Sequence, residues 1–487
     1  MLNGRPNPTL YEINTLPWLN KLREAYGADL TLSKVPYEEW RKFKDLGFDY
    51  VWLMGVWKRS RRSAEIARGI EVLKAHYNFA LPSWRPEDVV GSPYAVQSYE
   101  VDPMLGTSED LKAVKKVLNE LGIGLILDYV PNHLAVDHPW VFEHPDYFVQ
   151  ADAEEFRREP SNYLKVDLES GTVYIAHGRD PYFPPWTDTV QFNIFNKEAR
   201  DALIKTLRSI SEYCDGVRCD VAMLLLNDVF ERTWGHLLRK RGWEAKEEFW
   251  SEAIREIKKV KPDFTMIAEV YWGLEDRMLN LGFDYAYDKN LYDNLLNEQI
   301  DNIKRMLSTD QIKQSRYVRF TENHDELRAV TAFGRERSMA ASLITYTLPS
   351  MRLFHQGQLE GRKIRAPLQL RRVADEAVDS EIHEFYTTLL TALKSDTLHY
   401  GEWRPVRVDG AQTVFSWIWE LGIKRAFISV NYSSREALCV IVLDRWLLKD
   451  VINARVSWKR GIQIDDVDTR GHLKVRLEPY ALWLTLA

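Results

Sequence analysis

The strongest constraint in this chain is a recurrence. A short apolar run, rich in β-branched and aromatic residues, is followed by a longer stretch with helical spacing, eight times over. The runs are TLYEIN (Thr9–Asn14), FDYVWLMG (Phe48–Gly55), GLILD (Gly124–Asp128), DGVRCD (Asp215–Asp220), FTMIAEV (Phe264–Val270), GFDYAYD (Gly282–Asp288), YVRFTENHD (Tyr317–Asp325) and MRLFHQG (Met351–Gly357). Near-continuous apolar runs are what strands buried on both faces require, and alternation with helices calls for a parallel sheet. The helices carry readable signals. Thr107 and Asp110 form a capping pattern ahead of Leu111, Val114, Leu118 and Leu121, with Gly122 as the stop. Asn196 is placed to cap a helix that shows Leu203, Leu207 and Ile210 on one face. Eight such units fit an α/β fold of the (β/α)8 barrel type, with insertions, better than an open doubly wound sheet.

Two excursions break the alternation. Residues 134–190 are rich in Pro, Asp, Tyr and Trp without a long helical period, and read as a subdomain inserted after the third strand. Trp57–Pro93 follows the second strand and carries the basic run Lys58, Arg59, Arg61 and Arg62, read as a solvated face rather than an anion site. After residue 397 the pattern turns to alternating, β-branched stretches such as TVFSWIWEL and ALCVIVL, the mark of a small antiparallel β-sandwich. The expected division is therefore a barrel from 1–133 and 191–397, an insertion at 134–190, and a C-terminal sandwich at 398–487.

Charge and composition remove several classes of function. The formal net charge is −6, a poor match to a nucleic-acid partner. Three cysteines, Cys214, Cys219 and Cys439, cannot frame a chain of 487 residues with disulfides; the two in one short apolar segment, Cys214 and Cys219, are expected as buried thiols. The longest uncharged stretch, Ser338–Met351, is too short for a membrane span. The N-terminus lacks a basic start followed by an apolar core, so a cytoplasmic location is expected, and the oligomeric state is left open. Aromatic residues make up 12% of the chain; they serve cores first and stack on sugar faces second.

Chemistry concentrates where the strands end. In a barrel, side chains at the C-terminal ends of separate strands converge on one face. Strand three ends in LILDYVPNH, strand four in GVRCD, strand five in IAEV and strand seven in RFTENHDE. An isolated acid after a strand is usually a helix cap, but four positions in proper order are hard to ascribe to capping. No GxxxxGK[ST] phosphate loop, HExxH or paired CxxC competes with them, and the GxG of LGIGLIL precedes a strand rather than following one.

These four segments resemble the four ordered regions of the α-amylase family of glycoside hydrolases: DYVPNH at Asp128–His133, GVRCD at Gly216–Asp220, AEV around Glu269 and ENHD at Glu322–Asp325. The resemblance implies that Asp220 is the nucleophile, Glu269 the general acid/base and Asp325 a transition-state stabiliser. It implies that His133 and His324 donate to hydroxyls of the bound sugar and that Tyr94 stacks on its ring. The physical case stands beside it. Cleavage with retention needs one ionised carboxylate to attack and one protonated carboxyl to release the leaving oxygen. Arg218, on the same side of its strand as Asp220, is expected to keep the nucleophile's pKa low. Apolar neighbours around Glu269 are expected to raise that of the acid. Asp128 is expected to pair with Arg218 rather than with substrate.

Several positions depart from the family pattern. Met223 and Leu224 replace the Lys-His common after the nucleophile, and either shape the leaving-group side or pack beside the barrel. The lost histidine also supplies a backbone calcium ligand in common members, so calcium at Asn132 is left open; no organic cofactor is expected. Gln358 stands where Glu is frequent, and Ala95 where Asp is. The implied activity is a retaining α-glycosidase acting on α-1,4 bonds of maltooligosaccharides or related α-glucans. Transglycosylation or a trehalose-forming isomerisation would use the same residues, and a non-catalytic glycan-binding or partner-binding relative is the reading from another class.

Overall fold

The computed structural model describes residues 4–244, 247–452, 454, 456–468 and 471–487. All eight apolar runs contain a strand: β1 (Thr9–Asn14), β2 (Tyr50–Met54), β3 (Gly124–Tyr129), β4 (Gly216–Cys219), β5 (Thr265–Ala268), β6 (Tyr285–Tyr287), β7 (Tyr317–Arg319) and β8 (Met351–His355). They close into a parallel barrel in sequence order, with β8 returning to β1. Most strand residues are buried, as expected of a cylinder filled inside and covered by helices outside. Tyr11 of β1 packs on Phe43 and Phe48, while its neighbour Glu12 turns to the opposite face.

Local chemistry explains the register. Thr107 and Asp110 form the expected capping box on the helix Ser108–Glu120, which stops one residue before the anticipated Leu121, and Gly122 follows with φ +71°. Asn196 accepts from the amides of Glu198 and Ala199 to start the helix Lys197–Ile210. At Gly216 an added Cβ would lie 2.5 Å from the Thr265 carbonyl oxygen, so only glycine lets β4 and β5 approach. That approach sets Arg218 opposite Asp128 on one side and Ile267 on the other. Asp220 and Glu269 extend the ladder one residue beyond the strands: Asp220 N donates to Tyr129 O, and Glu269 N to Cys219 O.

The excursion between β3 and β4 closes at its base through an antiparallel pair, His133–Ala135 with Thr189–Gln191, and carries a three-stranded sheet. The excursion after β2 opens with Trp57–Arg59, paired to Val96–Val101, and contains the helices Arg61–Gly69 and Glu71–Ala80. The basic run there is split. Lys58 lies near Glu100 and Arg62 pairs with Glu65 at the surface, but Arg59 is buried against Asp102, because the short strand turns it inward.

The C-terminal strands are β9 (Glu402–Pro405), β10 (Val408–Asp409), β11 (Val414–Leu421), β12 (Lys424–Asn431), β13 (Ala437–Val442), β14 (Val456–Val467) and β15 (His472–Leu486). They form one antiparallel sheet, whose long β14–β15 hairpin bends near Gly461 and Tyr480 and joins two halves. Ile418, Phe427 and Trp483 of one half pack with Cys439, Ile441 and Val475 of the other. Trp419 ties this unit to the barrel by donating to the carbonyl of Thr347. All three cysteines are buried and free. Among the described residues no helix is long and apolar enough to cross a membrane.

Candidate active site

One guanidinium organises the floor of the barrel mouth. Arg218, fully buried, reaches Asp220 Oδ1 with Nη1 at 2.5 Å and Glu269 Oε1 with Nη2 at 2.7 Å. Asp128 lies 3.8 Å from the same Nη1 and accepts the Gly55 amide at 2.8 Å. The expected Asp128–Arg218 pairing is thus present, although the closest partners of the arginine are Asp220 and Glu269. Glu269 is held further by the Val221 amide at 2.5 Å and the Tyr271 hydroxyl at 2.7 Å, both donating.

Burial, rather than Arg218, decides the proton affinity of this pair. Loss of hydration pushes Asp220 up to about 6, against the pull of Arg218 and with help from Asp128 and Asp325. Glu269 rises to about 7 for the same reason, with Asp220 and Asp325 adding to the rise. The expectation of a low pKa at Asp220 is therefore corrected. The arginine limits the rise without reversing it, because its one charge is divided among several carboxylates. Both carboxyls are thus raised, and by the same cause, loss of hydration.

Asp325 behaves in the opposite way. Its side chain is open to the cleft, and partial loss of hydration there is outweighed by His324, which brings it down to about 2. His324 Nε2 lies 3.1 Å from Asp325 Oδ2 and 2.9 Å from the Tyr94 hydroxyl, while Nδ1 lies 2.5 Å from Glu12 Oε1. Burial opposes charge on this ring, but Asp325 and Glu12 outweigh it and hold His324 well above the ordinary histidine range. Tyr94 stacks on His324 with ring centroids 5.4 Å apart, and the Arg218 guanidinium lies over the same tyrosine ring at 5.2 Å. On the other side His133 Nε2 is 4.0 Å from Asp220 Oδ2, its ring against Trp186. Burial lowers His133 to about 4, so it is neutral at pH 7.

These groups open into a cleft of about 620 Å³ lined by Tyr94, His133, Asp220, Glu269, Tyr271 and Asp325 at its base. Ile66, Ile70 and Leu73 from the excursion after β2, Phe183 and Trp186 from that after β3, and Leu368 beyond β8 form the walls. Met223 also lines the cleft, whereas buried Leu224 packs in the core, so the two departures after Asp220 play different parts. Gln358 Nε2 lies 2.8–2.9 Å from the hydroxyls of Thr321, Tyr346 and Tyr386, two of which can accept its N–H groups, and Oε1 accepts from the His355 amide, a role in which the side chain supplies donors an ionised glutamate would lack.

Asn132 stands apart from the cleft. Its carbonyl and Oδ1 both accept from Gln191 Nε2, at 2.8 and 3.0 Å, and its Nδ2 lies 3.1 Å from His133 Nδ1. Calcium wants six to eight oxygens. Here both asparagine oxygens serve a neutral amide, and among the described residues no three His, Cys, Asp or Glu side chains cluster to hold a metal. The donors at Asn132 do not fit such an ion.

Sequence reasoning missed Glu12, Tyr271 and Gln191. Glu12 carried a usable signal, an acid in the middle of an otherwise apolar, fully buried strand. Gln191, within the short strand Thr189–Gln191, and Tyr271, three residues beyond β5, carried none, since an isolated polar residue at either place is ordinary.

Fold and site define a (β/α)8 protein with three strand-end carboxylates converging in one cleft. The α-amylase catalytic-domain family matches residues 37–381, and the chain belongs to that family. α-Amylase 3 of Dictyoglomus thermophilum is 24% identical over 56% of this chain and 55% of its own length. A 4-α-glucanotransferase of Thermotoga maritima is 22% identical over 66% of this chain and 65% of its own. Among solved structures, a maltogenic α-amylase from Thermotoga neapolitana superposes with a TM-score of 0.66 at 21% identity, covering 99% of both chains. The chain spans about half the length, or less, of the first curated relatives it matches.

Proposed function

We propose that this protein is a retaining α-glycosidase acting on α-1,4 bonds of maltooligosaccharides or related α-glucans. The observation that carries the reading is the Arg218 bridge: two carboxyl groups, both raised in proton affinity by burial, share one buried guanidinium at the base of a single cleft. Asp220 attacks the anomeric carbon while Glu269 gives its proton to the departing glycosidic oxygen, which leaves with the bonding electrons. The enzyme then carries a glycosyl ester on Asp220. Glu269, now ionised, takes a proton from water, and the resulting hydroxide displaces Asp220 with a second inversion, so configuration is retained. Ionised Asp325 offsets the positive charge of the oxocarbenium-like state. His133, His324 and Tyr94 hold the sugar being cleaved. The chemistry needs no organic cofactor.

Transfer to a sugar acceptor in place of water is the second reading. The apolar walls, with Ile66, Ile70, Leu73, Phe183, Met223 and Leu368, favour it because they leave water few partners beside the ester. Incubation with maltooligosaccharides, followed by product separation and NMR of the first-formed anomer, tests both. Shorter products with the α configuration support hydrolysis with retention; longer oligosaccharides or trehalose identify a transferase or isomerase. First-formed β products, or no turnover of any α-glucoside, overturn the proposal.

A further inference from the structure

Glu12 sits at the centre of β1, facing the barrel interior, with Trp52 of β2 and His355 of β8 as its register neighbours. It is fully buried. One oxygen, Oε1, meets His324 Nδ1 at 2.5 Å, and the other, Oε2, has no partner among the described residues. A buried carboxyl with one partner is an expensive feature in a strand that could have carried an apolar residue, and the chemistry derived above makes no use of it.

The ring that Glu12 holds faces a second carboxylate. His324 Nε2 is 3.1 Å from Asp325 Oδ2, so both ring nitrogens point at carboxyl oxygens. A neutral imidazole carries one N–H and one lone pair, and would turn that lone pair on an acceptor. With both carboxyls ionised, only the doubly protonated ring satisfies both contacts, and the Tyr94 hydroxyl at 2.9 Å then accepts rather than donates; a neutral ring would need Glu12 or Asp325 to hold the proton instead. Charged and titratable groups face this ring from every side. Glu12 comes from β1, Asp128 from β3, Asp325 from the loop after β7, and Tyr94 from the loop before β3 with Arg218 over its ring; Trp52 presents an uncharged edge. Arg218, the opposing cation, is engaged by Asp220 and Glu269.

We propose that Glu12 is a positioning residue that locks His324 as a doubly protonated cation, so that its Nε2–H is fixed as a donor at the base of the cleft and as the counter-charge of Asp325. This deepens the functional reading above and rests on it for its catalytic consequence, while the protonation state itself is independent of any activity. It also explains why two histidines in one site differ. His133 is neutral beside Trp186, and His324 is held between two acids.

The test is NMR of the full-length protein with labelled histidine, the His324 resonance assigned by its loss in His324→Asn. In the wild type His324 is expected to stay doubly protonated at pH 7 and to lose its proton well above the ordinary histidine range. In Glu12→Gln its midpoint is expected to fall by about one unit or more, and Glu12→Asp is expected to restore part of the shift. On maltooligosaccharides the alkaline limb of kcat/KM should fall with loss of one proton in the wild type and of two in Glu12→Gln, because His324 then titrates alongside Glu269. A wild-type ring that is neutral at pH 7, or a midpoint unchanged in Glu12→Gln, overturns the proposal. If Glu12→Gln does not fold, the wild-type titration and Glu12→Asp decide it. If no α-glucoside is turned over, the functional reading falls while the NMR still judges Glu12.

Discussion

The floor and the walls of the cleft are built by different rules. The floor consists of Glu12, Asp128, Arg218, Asp220, Glu269, His324 and Asp325, charged or ionisable groups placed on barrel strands or within a few residues of their ends. The walls consist mainly of aliphatic and aromatic side chains from the long excursions after β2, β3 and β8. Strand pairing and the ladder bonds just beyond it place Glu12, Asp128, Arg218, Asp220 and Glu269, which a reaction with narrow geometric tolerance needs. Loops supply shape, and can change without disturbing the register beneath them. On the proposed function, reactivity resides in the sheet and selectivity in the connections.

Removal of floor groups should break this contrast most sharply. Asp220→Asn keeps the shape but lacks the attacking charge, and should lower kcat on maltooligosaccharides by roughly 10⁴-fold or more. Glu269→Gln should cost about 10²–10⁴-fold on the same substrates. Its loss on an aryl α-glucoside with an acidic leaving phenol should be much smaller, since such a group departs without a proton. Equal losses on both substrates would remove Glu269 from the acid role.

Arg218→Lys is the next largest. A single ammonium cannot fork between Asp220 and Glu269, so the two carboxylates would separate and kcat should drop by roughly 10²-fold while the fold persists. Full activity in this variant would show that the bridge is dispensable.

The pH profile sharpens the same point. Asp220 must be ionised, so the rate should rise through about pH 6; Glu269 must be protonated, so it should decline above about pH 7. A narrow bell follows. Both acids have their pKa raised by folding, so their contribution to stability is fully present below about pH 4 and lost as pH rises through 6 to 7. Glu269→Gln, a neutral mimic, should therefore be more resistant to thermal unfolding than wild type at pH 8, and this advantage should vanish at pH 4.

The floor was legible in the primary structure because it obeys short-range rules. Asp220 follows β4 by one residue, Glu269 follows β5 by one, and Arg218 precedes Asp220 by two, so strand periodicity alone puts them on one rim. Glu12 escaped notice because its partner His324 is 312 residues away and no local pattern links them. The sign of the Asp220 shift was also misjudged, since proximity to Arg218 shows in the sequence whereas burial does not. The walls were opaque for a stronger reason. Ile70, Phe183 and Leu368 come from three separate excursions, and their meeting depends on packing between loops that no periodicity encodes. Arg59 shows the same limit, as a member of a basic run that one short strand turns inward against Asp102.

Wall substitutions should give the smallest effects and still decide between the two fates of the glycosyl ester. Phe183 is 64% exposed at the rim, and Phe183→Ala should raise KM for longer oligosaccharides by roughly two- to tenfold through loss of one aromatic contact, with kcat nearly unchanged. Met223 lies deeper, three residues after the nucleophile and fully buried. Met223→Gln introduces a donor and an acceptor where the wall is apolar, giving a water molecule partners beside the ester on Asp220. The ratio of hydrolysis to transfer should then rise by roughly two- to fivefold at fixed acceptor concentration, without a change in the anomer released. If the ratio stays fixed while kcat falls, Met223 supports the floor rather than the wall, and the division between sheet and connections would need to be redrawn at this residue.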